Sequence, residues 1–247
     1  MTIELESGCT ITGVDLSDVV FAEADLAGAR FTGCTLRDVK LSGTCLQDAR
    51  FVGCRLIRCR FANADVRDAL FDKCSFADED GHEGPQFAFC QLDQTRFVRS
   101  DLSFARFDRS TLFGIELDAC NLRGAIFHKT DFSRAFGRKL VKTVATIRGC
   151  NLELADLTEA RLSGCDLARS NFREALLIDA DLEGADLRGC DLVQALTHGA
   201  KFARADLRDA DLAGLNLREL ASMDGMIIAA DQQFPLLAAM GLEIYTG

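Results

Sequence analysis

Large apolar residues recur at every fifth position along most of this chain. The first run comprises Ile11, Leu16, Phe21, Leu26, Phe31, Leu36, Leu41, Leu46, Phe51, Leu56, Phe61, Val66, Phe71 and Phe76. After a one-residue change of phase a second run extends from Phe87 to Phe132, and a third runs from Ile147 to Leu217 with Thr197 as its polar member. Two residues before each centre stands a small residue, mostly Ala, Cys, Ser, Thr or Val. Between the two lies a polar residue, often Asp or Asn, as in Ala24-Asp25-Leu26 and Ala205-Asp206-Leu207. In-out alternation over three residues, followed by a two-residue corner, describes a short strand and a turn. An α-helix rotates about 500° in five residues, so no fixed helical face carries this pattern. Four units close a square coil of about twenty residues, and such coils stack as parallel strands ~4.8 Å apart. The pattern predicts an all-β solenoid filled by columns of side chains. Phe31, Phe51 and Phe71 belong to one column, as do Phe21 with Phe61 and Phe87 with Phe127.

The interruptions carry the next layer of information. Asp78-Glu79-Asp80-Gly81-His82-Glu83-Gly84-Pro85-Gln86 is acidic, rich in turn formers and coincides with the phase change, which predicts a loop thrown out from a corner. The second break spans residues 137–146, where Gly137 and Lys142 replace large centres and Arg138, Lys139 and Lys142 make it basic. Its phase is kept, and Leu140 and Ala145 fit the small inward slot, so a loop and a distorted coil both remain open. Beyond Leu217 the period ends. Asp231 to Met240 reads as a short helix, with Asp231 as N-cap, Pro235 in the first turns and Gly241 as C-cap. The expected organisation is a rod over residues 1–220 and a cap over 221–247. The cap covers the open end of the solenoid. Its apolar side chains, Phe234, Leu236, Leu237 and Met240, with Leu242 and Ile244 in an extended tail, also suit pairing with a second copy across a two-fold axis.

With 247 residues, 48% of them apolar, the chain can bury a long core as one elongated domain. Ten of the eleven cysteines (Cys9, Cys34, Cys54, Cys59, Cys74, Cys90, Cys120, Cys150, Cys165 and Cys190) occupy the small inward slot, and Cys45 alone is outward. That placement points to packing, and the absence of a CxxC pair argues against zinc. His82 lies in the acidic loop, while His128 and His198 follow inward centres and should face solvent. No nucleotide, metalloprotease or serine-hydrolase motif is present, so neither catalysis nor a cofactor is expected. No apolar run approaches a membrane span and no leader pattern opens the chain, which predicts a cytoplasmic protein.

A net charge of −10 argues against direct binding to DNA. Asp166, Asp186 and Asp206 are twenty residues apart and should form one outward ladder; Asp191 and Asp211 form another, in line with Asn151 and Asn171. Two readings follow. Either these carboxylates are the polar side of the repeat, neutralised in part by Arg188 and Arg208, or they imitate DNA before a basic groove.

The units Ala-Asp-Leu-Ala-Gly (24–28), Ala-Asp-Leu-Glu-Gly (180–184) and Ala-Asp-Leu-Arg-Gly (185–189) resemble the pentapeptide-repeat family. The resemblance implies a right-handed quadrilateral parallel β-helix, here of about ten coils. Two interruptions and a C-terminal helix with Leu-Leu-Ala-Ala-Met-Gly-Leu are similar to the quinolone-resistance members. Those members imply a homodimer that binds bacterial type II topoisomerases, DNA gyrase and topoisomerase IV, and protects them from quinolones. Their loops take part in protection. By that resemblance the partner-binding residues are Asp78, Glu79, Asp80, His82 and Glu83 in the first loop and Arg138, Lys139 and Lys142 in the second. A scaffold for a different protein partner is the alternative, because a repeat fold does not determine a role.

Overall fold

The computed structural model describes residues 5–78, 83–137 and 140–243. Strands are three or four residues long: β1 (Thr10–Thr12), β2 (Arg30–Thr32), β3 (Thr35–Arg37), β4 (Arg50–Val52), β5 (Arg55–Ile57), β6 (Leu70–Asp72), β7 (Arg96–Val98), β8 (Ile115–Asp118), β9 (Ser133–Ala135), β10 (Val141–Thr143) and β11 (Ala145–Arg148). One face of the rod is a parallel sheet in the order β1-β2-β4-β6-β7-β8-β11. On the other three faces successive coils meet through the parallel pair β3–β5 on the second face and through short parallel bridges such as Asp25 with Cys45, Lys40 with Arg60 and Asn151 with Asn171. Taking the centres in order, Ile11, Leu16, Phe21 and Leu26 define faces one to four. On the first face Ile11, Phe31, Phe51, Phe71, Phe97, Leu117, Ile147, Leu167, Leu187 and Leu207 mark ten successive coils, as the period predicts.

The large inward residues fill the rod completely. Phe31, Phe51, Phe71 and Phe97 stack with centroids 4.6, 4.9 and 4.8 Å apart. On the third face Phe61, Phe87, Phe107 and Phe127 stack at 4.6, 5.2 and 4.9 Å. Phe61 meets Phe87 although twenty-six residues separate them, so the first interruption leaves the column unbroken. Leu41 lies between Phe21 and Phe61, and Phe107 between Phe87 and Phe127, in the columns predicted for them.

Corner chemistry explains the rest of the repeat. The outward Asp or Asn before a centre accepts the N–H two residues on: Asp25 from Ala27, Asp65 from Arg67, Asp186 from Arg188 and Asp206 from Arg208, at 3.1–3.2 Å. The second corner residue takes positive φ, whether glycine (Gly28, φ 67°) or not (Arg169, φ 61°). A type II turn requires that conformation, which favours glycine as the last letter of the unit.

Many corners close with an N–H to carbonyl bond across three residues, as from Ala24 to Phe21 at 3.0 Å. At several others a side chain of the following coil inserts itself into this bond. Ser170 Oγ accepts from Cys150 N at 3.1 Å and donates to the Ile147 carbonyl at 2.8 Å. Ser100 and Ser110 bridge their corners in the same way. Cys34, Cys54, Cys74, Cys120, Cys150 and Cys190 each donate Sγ–H to a centre carbonyl of the preceding coil, at 3.2–3.5 Å. The inward cysteines are therefore donors as well as packing groups, and burial pushes the Cys190 thiol up to about 12, where it keeps its proton. Ser170→Ala strands a buried N–H and a buried carbonyl, and should cost about 2 kcal/mol, whereas Ser170→Cys should cost under about 1 kcal/mol. Cys165 donates to no centre carbonyl and its corner retains the Cys165 N to Leu162 bond. Cys165→Ala is the near-neutral control in a urea-unfolding comparison of the three variants.

The rod outlasts its period. Lys201 pairs with Ser222 and Asp206 with Ile227, twenty-one residues on, so coil structure passes the expected boundary at residue 220. A 3-10 turn (Ala230–Gln232) then leads into α1 (Gln233–Ala239). Asp231 lies inside that turn instead of capping it. The cap interaction comes from Gln232, whose Oε1 accepts from Ala229 N at 2.6 Å. Its Nε2 donates to the carbonyls of Leu207 at 2.8 Å and Ala210 at 2.6 Å. Gln232 thus closes the last coil with a buried amide. Gly241, at φ 79°, ends the helix as the sequence predicts.

Candidate interaction surface

Both interruptions leave the wall without opening the core, at diagonally opposite corners. The first follows Phe76, where the second face meets the third. Arg60 lies beside Gln86 and Gln86 beside Arg106, so the six extra residues are absorbed before Gln86. Gln86, read as loop, is already part of the third face. Asp78 N donates to the Glu83 carbonyl at 3.2 Å and closes the neck. The Arg58 guanidinium holds Asp78 at 3.0 Å and Asp38 at 2.7 Å. Gly84 lies directly on the next coil: a Cβ there would come within 2.4 Å of the Ser103 carbonyl oxygen and of the Phe104 carbonyl carbon. Glu79, Asp80 and His82 fall outside the described residues.

The second interruption is a β-hairpin between the fourth face and the first. β9 and β10 pair antiparallel, with Lys142 opposite Arg134, and Phe136 N donates to the Leu140 carbonyl at 2.6 Å. Of the two readings left open by the sequence, the extrusion holds, but it runs from Ser133 to Thr143; Ala145 and Thr146 belong to β11 in the rod. Leu140 does not enter the small inward slot: the chain has left the wall before it, and it is 49% exposed. Phe136, Val141 and Val144 are exposed beside it. The hairpin leans on the fourth face through Arg134, which pairs with Asp93 at 2.6 Å and lies 4.7 Å over the Phe113 ring. Lys142 Nζ stands 5.8 Å over the Phe136 ring. Arg138 and Lys139 fall outside the described residues. The result is an apolar and cationic tongue on an otherwise sealed wall.

The carboxylate ladders form as predicted, Asp166 beside Asp186 beside Asp206, and Asn151, Asn171, Asp191 and Asp211 in line. Each carboxylate is already engaged at its own corner, including Asp166, Asp191 and Asp211. Arginines take up much of the remaining charge: Arg148 meets Asp166 at 3.2 Å, Arg188 meets Asp186 at 2.6 Å, Arg208 meets Asp206 at 2.6 Å and Arg173 meets Asp191 at 3.4 Å. The bonds from Arg188 and Arg208 hold the Asp186 and Asp206 carboxyls below the ordinary 3.8. A folded-state value below the unfolded one stabilises the protein above that range and ceases to do so as pH falls through the folded value. Arg188→Gln/Arg208→Gln should therefore be less stable than the parent at pH 7, with the difference closing below about pH 3.8, as followed by urea midpoints across pH.

At the far end Leu236 is buried against the last coil, which removes it from any intermolecular surface. Phe234 and Leu242 are exposed, Leu237 and Met240 half-buried, and Ile244 lies outside the described residues. Met223 and Ile227 on the last turn of the rod are exposed as well. His128 and His198 face solvent, and among the described residues no group of His, Cys, Asp and Glu is placed to hold a metal ion. No helix among them is long and apolar enough to cross a membrane. The sequence reading missed Gln232, Arg58 and the Asp93–Phe113 seat of the hairpin, since each acts on residues remote in the chain.

These features define a four-sided parallel β-helix whose surface is modified at two corners and at one end. Family models for pentapeptide repeats match residues 7–80, 100–136, 145–173 and 155–194, and the chain belongs to the pentapeptide-repeat family. No curated protein is a sequence match to it. Among solved structures it is similar to full-length QnrB1, a plasmid-mediated fluoroquinolone resistance protein, with 22% identity, a TM-score of 0.72, and coverage of 94% of this chain and 100% of that one. It is also matched by HetL, a pentapeptide repeat protein involved in heterocyst differentiation regulation from the cyanobacterium Nostoc, with 22% identity, a TM-score of 0.30 and coverage of 88% and 82%.

Proposed function

We propose that this protein is a non-enzymatic, cytoplasmic rod that binds bacterial type II topoisomerase, DNA gyrase or topoisomerase IV, and protects it from quinolones or other gyrase poisons. The observation that carries this reading is the hairpin of residues 133–143. Phe136, Leu140 and Val141 are exposed on an element that contributes nothing to the core and is held in place by Arg134, with Val144 exposed at its base. Exposed apolar side chains beside a cation suit protein recognition. The first loop, with Asp78 and Glu83 at its neck, supplies a second contact. DNA mimicry by the Asp ladders is the weaker component, because corner bonds and arginines already occupy Asp166, Asp186, Asp206 and Asp191; Asp211, engaged only at its corner, is the best placed to contribute. The exposed Phe234 and Leu242, with Leu237 and Met240, supply the surface for a homodimer.

The test is to titrate purified protein into gyrase supercoiling reactions with and without ciprofloxacin. Recovery of supercoiling in the presence of drug is expected. No recovery, no inhibition and no binding to gyrase at micromolar protein would refute the reading, and a scaffold for another partner would take its place.

A further inference from the structure

The acidic chain carries a concentrated basic surface at its other end. Between residues 30 and 60 there are seven Lys or Arg, namely Arg30, Arg37, Lys40, Arg50, Arg55, Arg58 and Arg60, against two acids, Asp38 and Asp48. The fold wraps these cations around coils two and three. Arg30 and Arg50 are register partners on the first face. Arg37 on β3 and Arg55 on β5 lie on the second face, and Lys40 and Arg60 are bridge partners on the third. Arg58 spends its charge on Asp38 and Asp78. Arg30, Lys40, Arg50 and Arg60 are exposed, and no ion pair among the described residues engages them. Most arginines of the later coils behave differently, since Arg148, Arg173, Arg188, Arg204 and Arg208 have carboxylate partners, whereas no ion pair among the described residues engages Arg161 or Arg169. Like charges directly opposite across a ladder destabilise it, so the rod gains nothing from Arg30 beside Arg50 or Lys40 beside Arg60.

We propose that coils two and three dock an acidic, extended protein segment that wraps the rod across its first three faces. A duplex or a bilayer is too stiff or too flat to reach cations on opposite sides of a square section. No aromatic side chain is exposed between residues 30 and 60 to stack the bases of a flexible single strand. Guanidinium forks match carboxylates, and the acidic coils lie more than a Debye length away along the rod, while Glu83 at the neck of the first loop shares a cavity with Lys40 and Arg60 without an ion pair to either among the described residues. This surface is separate from the hairpin and stands independently of the topoisomerase reading.

The probe is a fluorescein-labelled oligoglutamate peptide, followed by anisotropy at low salt, with labelled oligothymidylate of equal charge and phosphatidylserine vesicles in parallel. Saturable binding to the peptide is expected, weakening steeply with salt. Arg30→Gln/Lys40→Gln/Arg50→Gln/Arg60→Gln should weaken it by about tenfold or more, while Arg148→Gln/Arg188→Gln should bind as the parent does. The quadruple variant should melt no lower than the parent; a lower midpoint would assign the cations to the rod itself and overturn the proposal. So would absence of peptide binding, binding unchanged by the four substitutions, or preference for oligothymidylate or vesicles. Growth of the parent into chains at low salt, absent in the quadruple variant, would assign the belt to the acidic coils of another copy and equally overturn it.

Discussion

Phe71→Ala should lower the thermal midpoint by roughly 10 °C, the largest effect expected from any single truncation in the rod. Phe71 has no exposed surface and stacks face to face on Phe51 at 4.9 Å and on Phe97 at 4.8 Å. Phe76 meets its edge at 5.4 Å. Truncation removes the ring and leaves a void that two neighbouring coils must bridge with backbone fixed by ladder bonds, so collapse around it is restricted. The cost is about 3–5 kcal/mol. Phe71→Leu should cost under about 1.5 kcal/mol, because Leu167 and Leu187 fill the same slot on the same face. Differential scanning calorimetry of the two variants separates volume from position.

Gln232→Ala is the second large effect and should be confined to one end. The substitution leaves the Ala210 carbonyl and the Ala229 N–H without a partner in a site only 6% exposed, and takes one of two bonds from the Leu207 carbonyl, which keeps the Ala210 N–H at 3.1 Å. Each stranded group costs about 1–3 kcal/mol unless the structure opens to water. Opening is the expected response, because α1 is seven residues long and is held by Gln232 and Leu236. Amide exchange across residues 226–240 should accelerate by roughly a hundredfold while coils two to six keep their protection, since a solenoid transmits stability mainly between neighbours. Uniform acceleration along the chain would show that the cap governs the whole rod.

Why the sequence marked the first interruption as a loop but left the second open between a loop and a distorted coil is a matter of arithmetic on the period. The six residues absorbed before Gln86 shift the five-residue phase by one, which makes the first loop visible. The hairpin adds ten residues, since β8 pairs with β11 at a spacing of thirty, as from Leu117 to Ile147. Ten is two whole units, so the phase survives and Leu140 falls on a slot it does not occupy. The aromatic columns were readable because identical side chains recur every twenty residues. The same recurrence links Cys34, Cys54, Cys74 and, after the loop, Ser100 and Cys120, and it held the clue to the donor column. Composition suggested small apolar filling instead. The outward Asp residues were placed correctly but their bond to the corner N–H is a local backbone contact that hydropathy does not register. Gln232 carries no pattern at all, being one polar residue that meets carbonyls of the preceding coil.

In the topoisomerase reading the later coils are structural, the Asp ladders largely serve their own corners, and recognition lies in the extrusions. A single comparison tests that division. Excising Arg134–Thr143 restores a twenty-residue coil, with Val144→Gly added because that residue then takes the left-handed corner position that β-branched side chains resist. The measurement is the protein concentration needed to restore gyrase supercoiling in ciprofloxacin, for the parent, the excised variant and Asp186→Asn/Asp206→Asn. The prediction is protection by the parent, its loss in the excised variant despite an intact rod by circular dichroism, and little change in the Asn variant. Protection that survives excision and disappears with the two carboxylates would contradict it.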